Sequence, residues 1–386
     1  MIAVIGFGTM GRGISQFLAT KGHDVAVYDT DASVLENGLS RIRSSLESLK
    51  AKGQLPGDVD ETMSRIKVAR SISEACRDAD LVIEAVYEDP EVKSTVLREA
   101  ERYSPPHSVL TTNTSGLSIT YLQLRLARRE RFAGFHWFNP PGVMKLIEVI
   151  RGRYTSEEVL ERLRELALNL GKWPIVVRRD IRGFVANRIA RALRYNAIIL
   201  YKNGVYTHEE IDAAAVYKLG LPLGPFAVAD FTNAPLIEVT ESQHYHKLKE
   251  EVPDWEPHRG YEAAYWEAVM FLKSRMEAGK IGVKSGEGFY KYPQPEMWEK
   301  PKLDPELAER VSPAALIAPV YIQAKYLVEI GAAGVDEMEK AMVLGYRWSH
   351  GPFTLSSKIG IEEICKAAST LGARFPHISQ FYSGCK

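Results

Sequence analysis

Cysteine is scarce in this sequence, which has three such residues, Cys76, Cys365 and Cys385, among 386. They are odd in number, far apart and not at zinc-ligand spacing, so neither a disulfide framework nor a metal site is expected. We therefore predict three free thiols in a reducing compartment.

The sequence also lacks a net charge and a long apolar run. Lysine plus arginine equals aspartate plus glutamate at 49 each, so the overall balance does not favour nucleic acid or an anionic membrane as a partner. No apolar stretch approaches the roughly 20 residues that a membrane helix needs, and no signal peptide precedes the first predicted strand. The 45% hydrophobic and 25% charged residues are typical of a globular protein of two or three domains, which we expect to be cytoplasmic.

Glycines are concentrated near the start, in a Gly-x-Gly-x-x-Gly motif between an apolar strand and a helix. The first glycine permits a tight turn, the second lets backbone N–H groups approach a pyrophosphate, and the third lets the helix pack on the strand. The positive end of the helix then faces the phosphates. The residues predicted to bind a dinucleotide here are Gly6, Gly8, Thr9, Met10 and Gly11.

An acidic residue follows at the distance that this motif requires. The strand predicted at 23–28 ends at Asp29, about 20 residues past the glycines, where a carboxylate takes the adenine ribose hydroxyls. Asp29 repels a 2′-phosphate, and Thr30 and Asp31 supply no cation, so the pattern favours NAD over NADP. The alternative is that Asp29 merely caps the next helix.

Strand-like and helical runs alternate through the first half of the chain, which predicts an α/β doubly wound sheet of the Rossmann type. Two helical stretches, 32–52 and 60–66, form a predicted inserted hairpin. Its basic residues either meet a phosphorylated substrate or form a solvated charged face. They are Arg41, Arg43, Lys50, Lys52, Lys67 and Arg70.

Beyond residue 180 the strand signals stop, and long helical patterns begin with a helix predicted at 183–203. The segment 200–204, which begins with leucine and ends with glycine, is followed 20 residues later by Gly-Pro-Phe at 224–226. The segment 327–331 also begins with leucine and ends with glycine, and Gly-Pro-Phe follows it at the same distance, at 351–353. We therefore predict an all-α domain in two tandem copies. The predicted domains are 1–180 (dinucleotide binding), 181–300 (helical, catalytic) and 301–386 (second helical copy).

Three polar residues stand where later strands of the sheet should end: Ser115, His136 and Glu148. Ligands of open α/β sheets bind at those ends. Glu148 interrupts an apolar run, where a carboxylate is costly without a partner, and a histidine is a suitable partner and proton acceptor. Each residue also has an alternative role that does not involve catalysis. Ser115 could be a turn hydroxyl, His136 a histidine whose hydrogen bonds are satisfied beside aromatic residues, and Glu148 a charge on an edge strand that faces water. Together with a dinucleotide motif, they predict oxidation of an alcohol to a ketone.

Several motifs, taken in order, resemble the L-3-hydroxyacyl-CoA dehydrogenase family over nearly the whole chain. They are Gly-Phe-Gly-Thr-Met-Gly at 6–11, Asn-Thr-Ser at 113–115, the segment 131–140, the segment 144–149 and Gly-Phe-Val-Ala-Asn-Arg at 183–188.

The resemblance implies an NAD-dependent enzyme of acyl-CoA and fatty acid metabolism, which reversibly oxidises a (3S)-3-hydroxyacyl-CoA, such as 3-hydroxybutyryl-CoA. By the same resemblance the hairpin meets the CoA moiety, His136 is the general base, and Glu148 orients it. Ser115 and Asn187 bind the substrate around the reacting oxygen. The residues implied near the nicotinamide are Glu84, Lys93 and Asn113.

The sequence departs from the family pattern at two places. Arg182 replaces the usual proline before Gly183, with one extra residue upstream, so the loop entering the helical domain is expected to shift. Ala314 stands in the second copy where Asn187 stands in the first, so we interpret that copy as a scaffold. Tandem copies in this family form an internal pseudo-dimer, which favours a monomer here, with a homodimer as the alternative.

Two other functions are compatible with the sequence. One is an NAD-dependent dehydrogenase of a free hydroxy acid of the gulonate type, which would not need cations for CoA phosphates. The other is a cofactor-binding protein without catalysis, for which tight NAD binding and no turnover would be the signature.

Overall fold

The structure is a computed structural model that describes residues 1–385. The chain forms two compact units, which divide after Asp180. Each is described separately.

Residues 1–180 contain eight strands that form one sheet. They are β1 (Ile2–Ile5), β2 (Val25–Tyr28), β3 (Ile66–Val68), β4 (Leu81–Glu84), β5 (Val109–Thr112), β6 (Phe132–Trp137), β7 (Leu146–Ile150) and β8 (Trp173–Val177). Their order in the sheet is β3-β2-β1-β4-β5-β6-β7-β8. The pairing is parallel except between β6 and β7, which confirms the predicted Rossmann-like sheet and adds one antiparallel pair that the alternating pattern did not indicate.

Seven helices connect the strands of this unit, with a 3-10 turn at Arg129–Arg131. Several begin at an aspartate or serine whose side chain accepts a hydrogen bond from a first-turn N–H, as Asp89 does from Glu91 and Val92. The helices are α1 (Thr9–Thr20), α2 (Ala32–Ala51), α3 (Val59–Ser64), α4 (Ile72–Cys76), α5 (Pro90–Tyr103), α6 (Ile119–Gln123) and α7 (Glu157–Asn169).

The predicted hairpin corresponds to α2 and α3, but its second helix ends earlier than expected. The segment 60–66 was predicted to be helical, whereas α3 ends at Ser64 and Ile66 begins β3. This strand has three residues, of which only the first is buried, so it is too short for an alternating pattern to be recognised.

The unit that begins at Ile181 is helical, as predicted. Its first helix, α8, begins at Ala186, three residues later than the pattern indicated, because Gly183 and Phe184 adopt positive φ values of 76° and 51°. The helices are α8 (Ala186–Lys202), α9 (His208–Tyr217), α10 (Pro225–Phe231), α11 (Ala234–Glu251), α12 (Arg259–Glu277), α13 (Pro313–Glu329), α14 (Val335–Tyr346), α15 (Pro352–Ile359) and α16 (Ile361–Arg374).

The prediction of three free thiols was wrong. Cys365 on α16 forms a disulfide with Cys385, and their Cα atoms are 5.4 Å apart despite a sequence separation of 20. Spacing along the chain does not report how the chain returns on itself, so this contact could not be read from the sequence. Cys76 is a buried free thiol, and burial, with the nearby Glu99 carboxylate, raises its pKa to about 12.

Among residues 1–385, no helix has the length and apolar character needed to cross a membrane. No group of three or more histidine, cysteine, aspartate or glutamate side chains in that range is arranged to hold a metal ion.

Candidate active site

The glycine turn joins β1 to α1 with very close backbone contacts. Gly6 has a φ of 96°, and a Cβ there would lie 2.6 Å from the Ala85 carbonyl oxygen. A Cβ on Gly11 would lie 1.8 Å from the Gly6 carbonyl oxygen, so only glycine lets the helix pack here. At Gly8, by contrast, a Cβ would meet no atom within 4 Å. The turn is therefore tight where it supports the fold and open where a pyrophosphate would approach the N-terminus of α1.

Asp29 follows β2 and reaches back to the glycine turn. Its carboxylate accepts hydrogen bonds from the backbone N–H groups of Phe7, at 2.7 Å, and Asp31, at 3.1 Å. Asp31, rather than Asp29, caps α2, because its side chain accepts from the Ser33 N–H. Asp31 therefore caps α2, and the half-exposed Asp29 carboxylate lies beside the glycine turn.

A buried ion pair occupies the carboxyl end of β4. Glu84 and Lys93, on α5, are both almost fully buried, and the Lys93 ammonium donates to Glu84 at 2.8 Å. A second carboxylate, Glu88, lies 3.2 Å from the same ammonium. The remaining Glu84 oxygen accepts from the Thr112 hydroxyl at 2.6 Å, so β4, β5 and α5 are connected through one network.

The charges in this network stabilise one another. Burial alone would lower the pKa of Lys93, but the Glu84 and Glu88 carboxylates outweigh it and hold that pKa above its usual value. Burial likewise opposes ionisation of Glu88, yet Lys93 and the Thr114 hydroxyl lower the pKa of this carboxyl overall. Lys93 and Glu88 are consequently ionised at neutral pH.

Asn113 and Ser115 follow β5, and hydrogen bonds to residues outside that strand position them. The Glu88 carboxylate accepts hydrogen bonds from the Thr114 hydroxyl and from the Ser115 N–H, the latter at 3.1 Å. The Asn113 side-chain oxygen accepts from the Trp137 N–H at 2.9 Å, next to His136 in the chain. These bonds connect the end of β5 to the end of β6.

His136 and Glu148 lie directly opposite each other in the antiparallel pair of β6 and β7. Opposite residues share one face of a sheet, and the His136 Nδ1 donates to the Glu148 carboxylate at 2.7 Å. The Glu148 side chain is fully buried and His136 is 5% exposed. With Nδ1 bonded to a carboxylate, Nε2 is the ring atom at which a proton can be exchanged with another molecule.

The loop after β6 is held by a buried lysine, Lys172. Its ammonium donates to the carbonyl oxygens of Pro141 and Met144, the latter at 2.7 Å, and lies 3.9 Å from the centre of the Phe17 ring. Burial, with a contribution from the nearby Lys21, lowers the pKa of Lys172 to about 8.

A cavity of about 490 Å³ lies beside this loop. It is bounded by α1, by the hairpin of α2 and by the loop, and its lining includes the polar side chains of Gln16, Lys21, Ser45 and Gln54. Of the basic hairpin residues, Arg43 is paired with Asp60 and Lys50 with Asp58.

Asn187 belongs to the unit that begins at Ile181, where it is the second residue of α8. Its side-chain oxygen accepts a hydrogen bond from the Tyr346 hydroxyl at 2.6 Å. In the first unit, the structure brings Glu84, Lys93, Asn113 and Ser115 to adjoining strand ends, with His136 and Glu148 on the next strands.

Sequence reasoning missed three residues with clear positioning contacts: Glu88, Lys172 and Tyr346. Glu88 lies in a loop, and the other two contact partners 28 or more residues away. None interrupts an apolar run as Glu148 does, so no local signal singled them out.

Comparisons with known proteins match both units. The 3-hydroxyacyl-CoA dehydrogenase NAD-binding domain matches residues 1–181, and the C-terminal domain of the same family matches residues 183–292. A probable 3-hydroxybutyryl-CoA dehydrogenase of Bacillus subtilis is 37% identical over 298 residues, covering 75% of this chain and 96% of that protein. A probable 3-hydroxyacyl-CoA dehydrogenase of Caenorhabditis elegans is 34% identical over 302 residues, covering 75% and 92%.

Among solved structures, a 3-hydroxybutyryl-CoA dehydrogenase from Escherichia coli K12 is similar over the whole chain. Its TM-score is 0.82 at 26% identity, with 100% of this chain and 96% of that chain covered. An (S)-3-hydroxybutyryl-CoA dehydrogenase from Ralstonia eutropha has a TM-score of 0.66 at 32% identity and covers 76% of this chain and 99% of that chain.

Proposed function

The chain belongs to the 3-hydroxyacyl-CoA dehydrogenase family of NAD-dependent oxidoreductases, and we propose that its substrate is a short (3S)-3-hydroxyacyl-CoA such as 3-hydroxybutyryl-CoA. The product is the corresponding 3-oxoacyl-CoA. The observation that carries this proposal is the buried His136–Glu148 pair, which lies on the same sheet as the dinucleotide-binding turn.

The residues of the first unit fit NAD. Gly6, Gly8 and Gly11 would hold the pyrophosphate at the N-terminus of α1 with the backbone of Thr9 and Met10. Asp29 would accept hydrogen bonds from the adenine ribose, and Glu84, Lys93 and Asn113 would border the nicotinamide half. When bound, NAD supplies the acceptor for the hydride that leaves the substrate carbon.

His136 acts as the general base. Its Nε2 takes the proton of the substrate hydroxyl, and the ring becomes an imidazolium whose charge the Glu148 carboxylate stabilises at Nδ1. Because Glu148 is fully buried, this attraction is only weakly screened by water. In the reverse direction, the imidazolium returns the proton to the developing alkoxide. Ser115 hydrogen-bonds the substrate around the same oxygen. For Asn187, which belongs to the other unit, a substrate-binding role is proposed from the resemblance of the motif at 183–188.

The CoA portion is assigned to the cavity beside the hairpin. Lys21 lines this cavity, and its charge already acts on Lys172, so an anionic phosphate there would relieve the repulsion between two ammonium groups. Arg43 and Lys50 are poorer candidates, because acidic neighbours on α3 and the preceding loop neutralise them.

The helical unit is proposed to contain two tandem copies, within residues 181–300 and 301–386. Four helices of one region start 127 residues before four helices of the other: Ala186 and Pro313, His208 and Val335, Pro225 and Pro352, and Ala234 and Ile361. The same cap recurs at this offset. Asp212 accepts from the N–H groups of Phe226 and Ala227, and Glu339 accepts from those of Phe353 and Thr354.

The copies also contact each other reciprocally. The Asn196 amide on α8 donates to the carbonyls of Ala315 and Leu316 on α13. Its counterpart at the same offset, Gln323, accepts from the Arg188 guanidinium, and position 188 is the counterpart of 315. Two-fold related contacts of this kind are typical of a dimer interface. They support an internal pseudo-dimer and hence a monomeric chain.

A cytoplasmic location is also proposed, because NAD and acyl-CoA are both available there. The Cys365–Cys385 disulfide is unusual for that compartment, where thiols are generally kept reduced. Cell fractionation tests the location, and recovery outside the cytoplasmic fraction would contradict it.

The function is tested by following the loss of NADH absorbance with acetoacetyl-CoA, in parallel with free acetoacetate and with NADPH as cofactor. Fast turnover only with the thioester and NADH is expected. Turnover of the free acid would instead indicate a hydroxy-acid dehydrogenase, and NADH binding without turnover of either substrate would indicate a non-catalytic role.

A further inference from the structure

The second helical copy contacts the side chain to which substrate binding has been assigned in the first copy. Tyr346, the last residue of α14, donates its hydroxyl hydrogen to the Asn187 side-chain oxygen at 2.6 Å. The helix ends there because Arg347 adopts a left-handed conformation with φ 56°, and the Arg347 N–H closes on the Met342 carbonyl. Tyr346 is therefore held at a defined helix end rather than on a loop tip.

This contact breaks the two-fold pattern of the helical unit. Asn196 and Gln323 occupy corresponding positions, and both make side-chain hydrogen bonds to the other copy. At the positions that correspond to Asn187 and Tyr346, the chain has Ala314 and Leu219, which are buried and cannot form a side-chain hydrogen bond. Both members of the polar pair are thus present at one end and both are absent at the other, as expected for two residues that act together.

We propose that Tyr346 is a positioning residue for the reaction, which it serves by orienting the Asn187 amide. The proposal rests on the function proposed above. With its oxygen bonded to Tyr346, the amide directs its NH₂ group, which has two donors, away from the tyrosine and toward a substrate oxygen. Donation to the amide oxygen also polarises the amide and strengthens its N–H groups as donors. The second copy is then part of the catalytic apparatus and not a scaffold alone.

The test compares Tyr346→Phe with a matched variant, Tyr382→Phe. Tyr382 also donates its hydroxyl hydrogen to an asparagine of α8, Asn196, at 3.0 Å. Each variant removes one hydroxyl and one tyrosine–asparagine bond, but only one of them touches Asn187. The assay is steady-state reduction of acetoacetyl-CoA by NADH, with the melting temperature of each variant measured alongside.

Tyr346→Phe is expected to lower kcat about tenfold with KM for acetoacetyl-CoA changed less than about twofold, because donors that act in the transition state chiefly affect kcat. Tyr382→Phe is expected to keep wild-type kcat, even if its melting temperature falls further. In an Asn187→Ala background, Tyr346→Phe should produce no additional loss of kcat.

Equal kcat for the two single variants, in a wild type that turns over acetoacetyl-CoA, would overturn the role of Tyr346 and leave the proposed function intact. An additional loss in the Asn187→Ala background would overturn it as well, since Tyr346 would then act through another group. A wild type without turnover would instead remove the proposed function, and this inference with it.

Discussion

At the scale of single residues, several of the proposed functional residues occur in pairs, in which one side chain orients the other or stabilises its charge. His136 and Glu148 are the central pair, and a strand register that places them opposite each other brings the Nδ1–carboxylate distance to 2.7 Å. Lys93 is likewise paired with the carboxylates of Glu84 and Glu88, and Asn187 accepts a hydrogen bond from Tyr346.

Replacement of the histidine should remove proton transfer without affecting the cofactor. We expect His136→Gln to lower kcat at least about 100-fold, the usual contribution of a positioned acid–base group. NADH affinity, measured by fluorescence titration, should stay within about threefold, because the glycine turn and Asp29 are separate from His136. The control is His107→Gln, an exposed histidine 3.2 Å from Asp80. Near-normal turnover of His136→Gln would refute the assignment.

Cofactor choice is proposed to depend on Asp29. The variant Asp29→Ala should reduce the preference for NADH over NADPH at least about tenfold, since the carboxylate that repels a 2′-phosphate is gone. The measurement is the ratio of kcat/KM for the two cofactors. Asp31→Ser is a matched control, because it removes the neighbouring charge and retains a residue suited to capping α2. An unchanged ratio in Asp29→Ala would mean that another group reads the ribose.

At the scale of secondary-structure elements, the loop between β6 and β7 is tied to the body of the unit by Lys172. Its ammonium bonds two loop carbonyls, so its burial has an energetic cost that depends on pH. The folded-state pKa of about 8 lies below the ordinary value of 10.5. Between these values the unfolded chain binds more protons than the folded one, so stability rises with pH.

The prediction is a difference between wild type and Lys172→Met in the free energy of unfolding. Wild-type stability relative to the variant should increase between about pH 8 and pH 10, by at most about 3 kcal/mol, and be constant below pH 7. Denaturant titrations at several pH values measure it. Lys52→Met, at an exposed helix end, should show no such change. A pH-independent difference for Lys172→Met would mean that Lys172 keeps an ordinary pKa.

Some secondary-structure elements could be predicted from the sequence and others could not. Most strands and helices of the sheet could be predicted because long apolar alternation and capping residues are local signals. The strand at Ile66–Val68 was missed because three residues are too few for an alternating pattern to be recognised. The antiparallel pairing of β6 and β7 was missed because alternation indicates strands but not their direction. Ser115 and His136 were identified as polar residues near strand ends, but the prediction that Glu148 stands at a strand end was wrong, because it lies in the middle of β7 and is opposite His136 through antiparallel pairing. Glu88 and Tyr346 were not identified, because they matter through contacts with residues distant in the chain.

At the scale of the whole molecule, the disulfide ties the end of the chain to α16. Closing a loop of about 20 residues restricts the unfolded chain and is worth about 3 kcal/mol. We expect Cys385→Ser to destabilise the helical unit by roughly this amount in thermal unfolding. Reductant should destabilise the wild type similarly and leave the variant unchanged. A wild type insensitive to reductant would show that the bond contributes nothing to stability.

The proposed internal pseudo-dimer predicts that the protein is a monomer. The purified protein should elute and scatter light as one chain of 43.2 kDa, and its specific activity should not depend on enzyme concentration. Multi-angle light scattering measures the mass directly. A mass of two chains would mean that the second copy does not replace a partner subunit.

The recurrence of helices at an offset of 127 residues has a consequence for how this protein can evolve. In a homodimer, every substitution appears in both subunits, so a change that spoils one end of the interface spoils the other. When the two helical copies are encoded separately within one gene, each copy accumulates its own substitutions. Because one chain joins the copies, they stay paired at any protein concentration. In the proposed tandem arrangement, Ala314 and Leu219 are differences of that kind, because they cannot form the side-chain hydrogen bond that Tyr346 and Asn187 form at the equivalent positions.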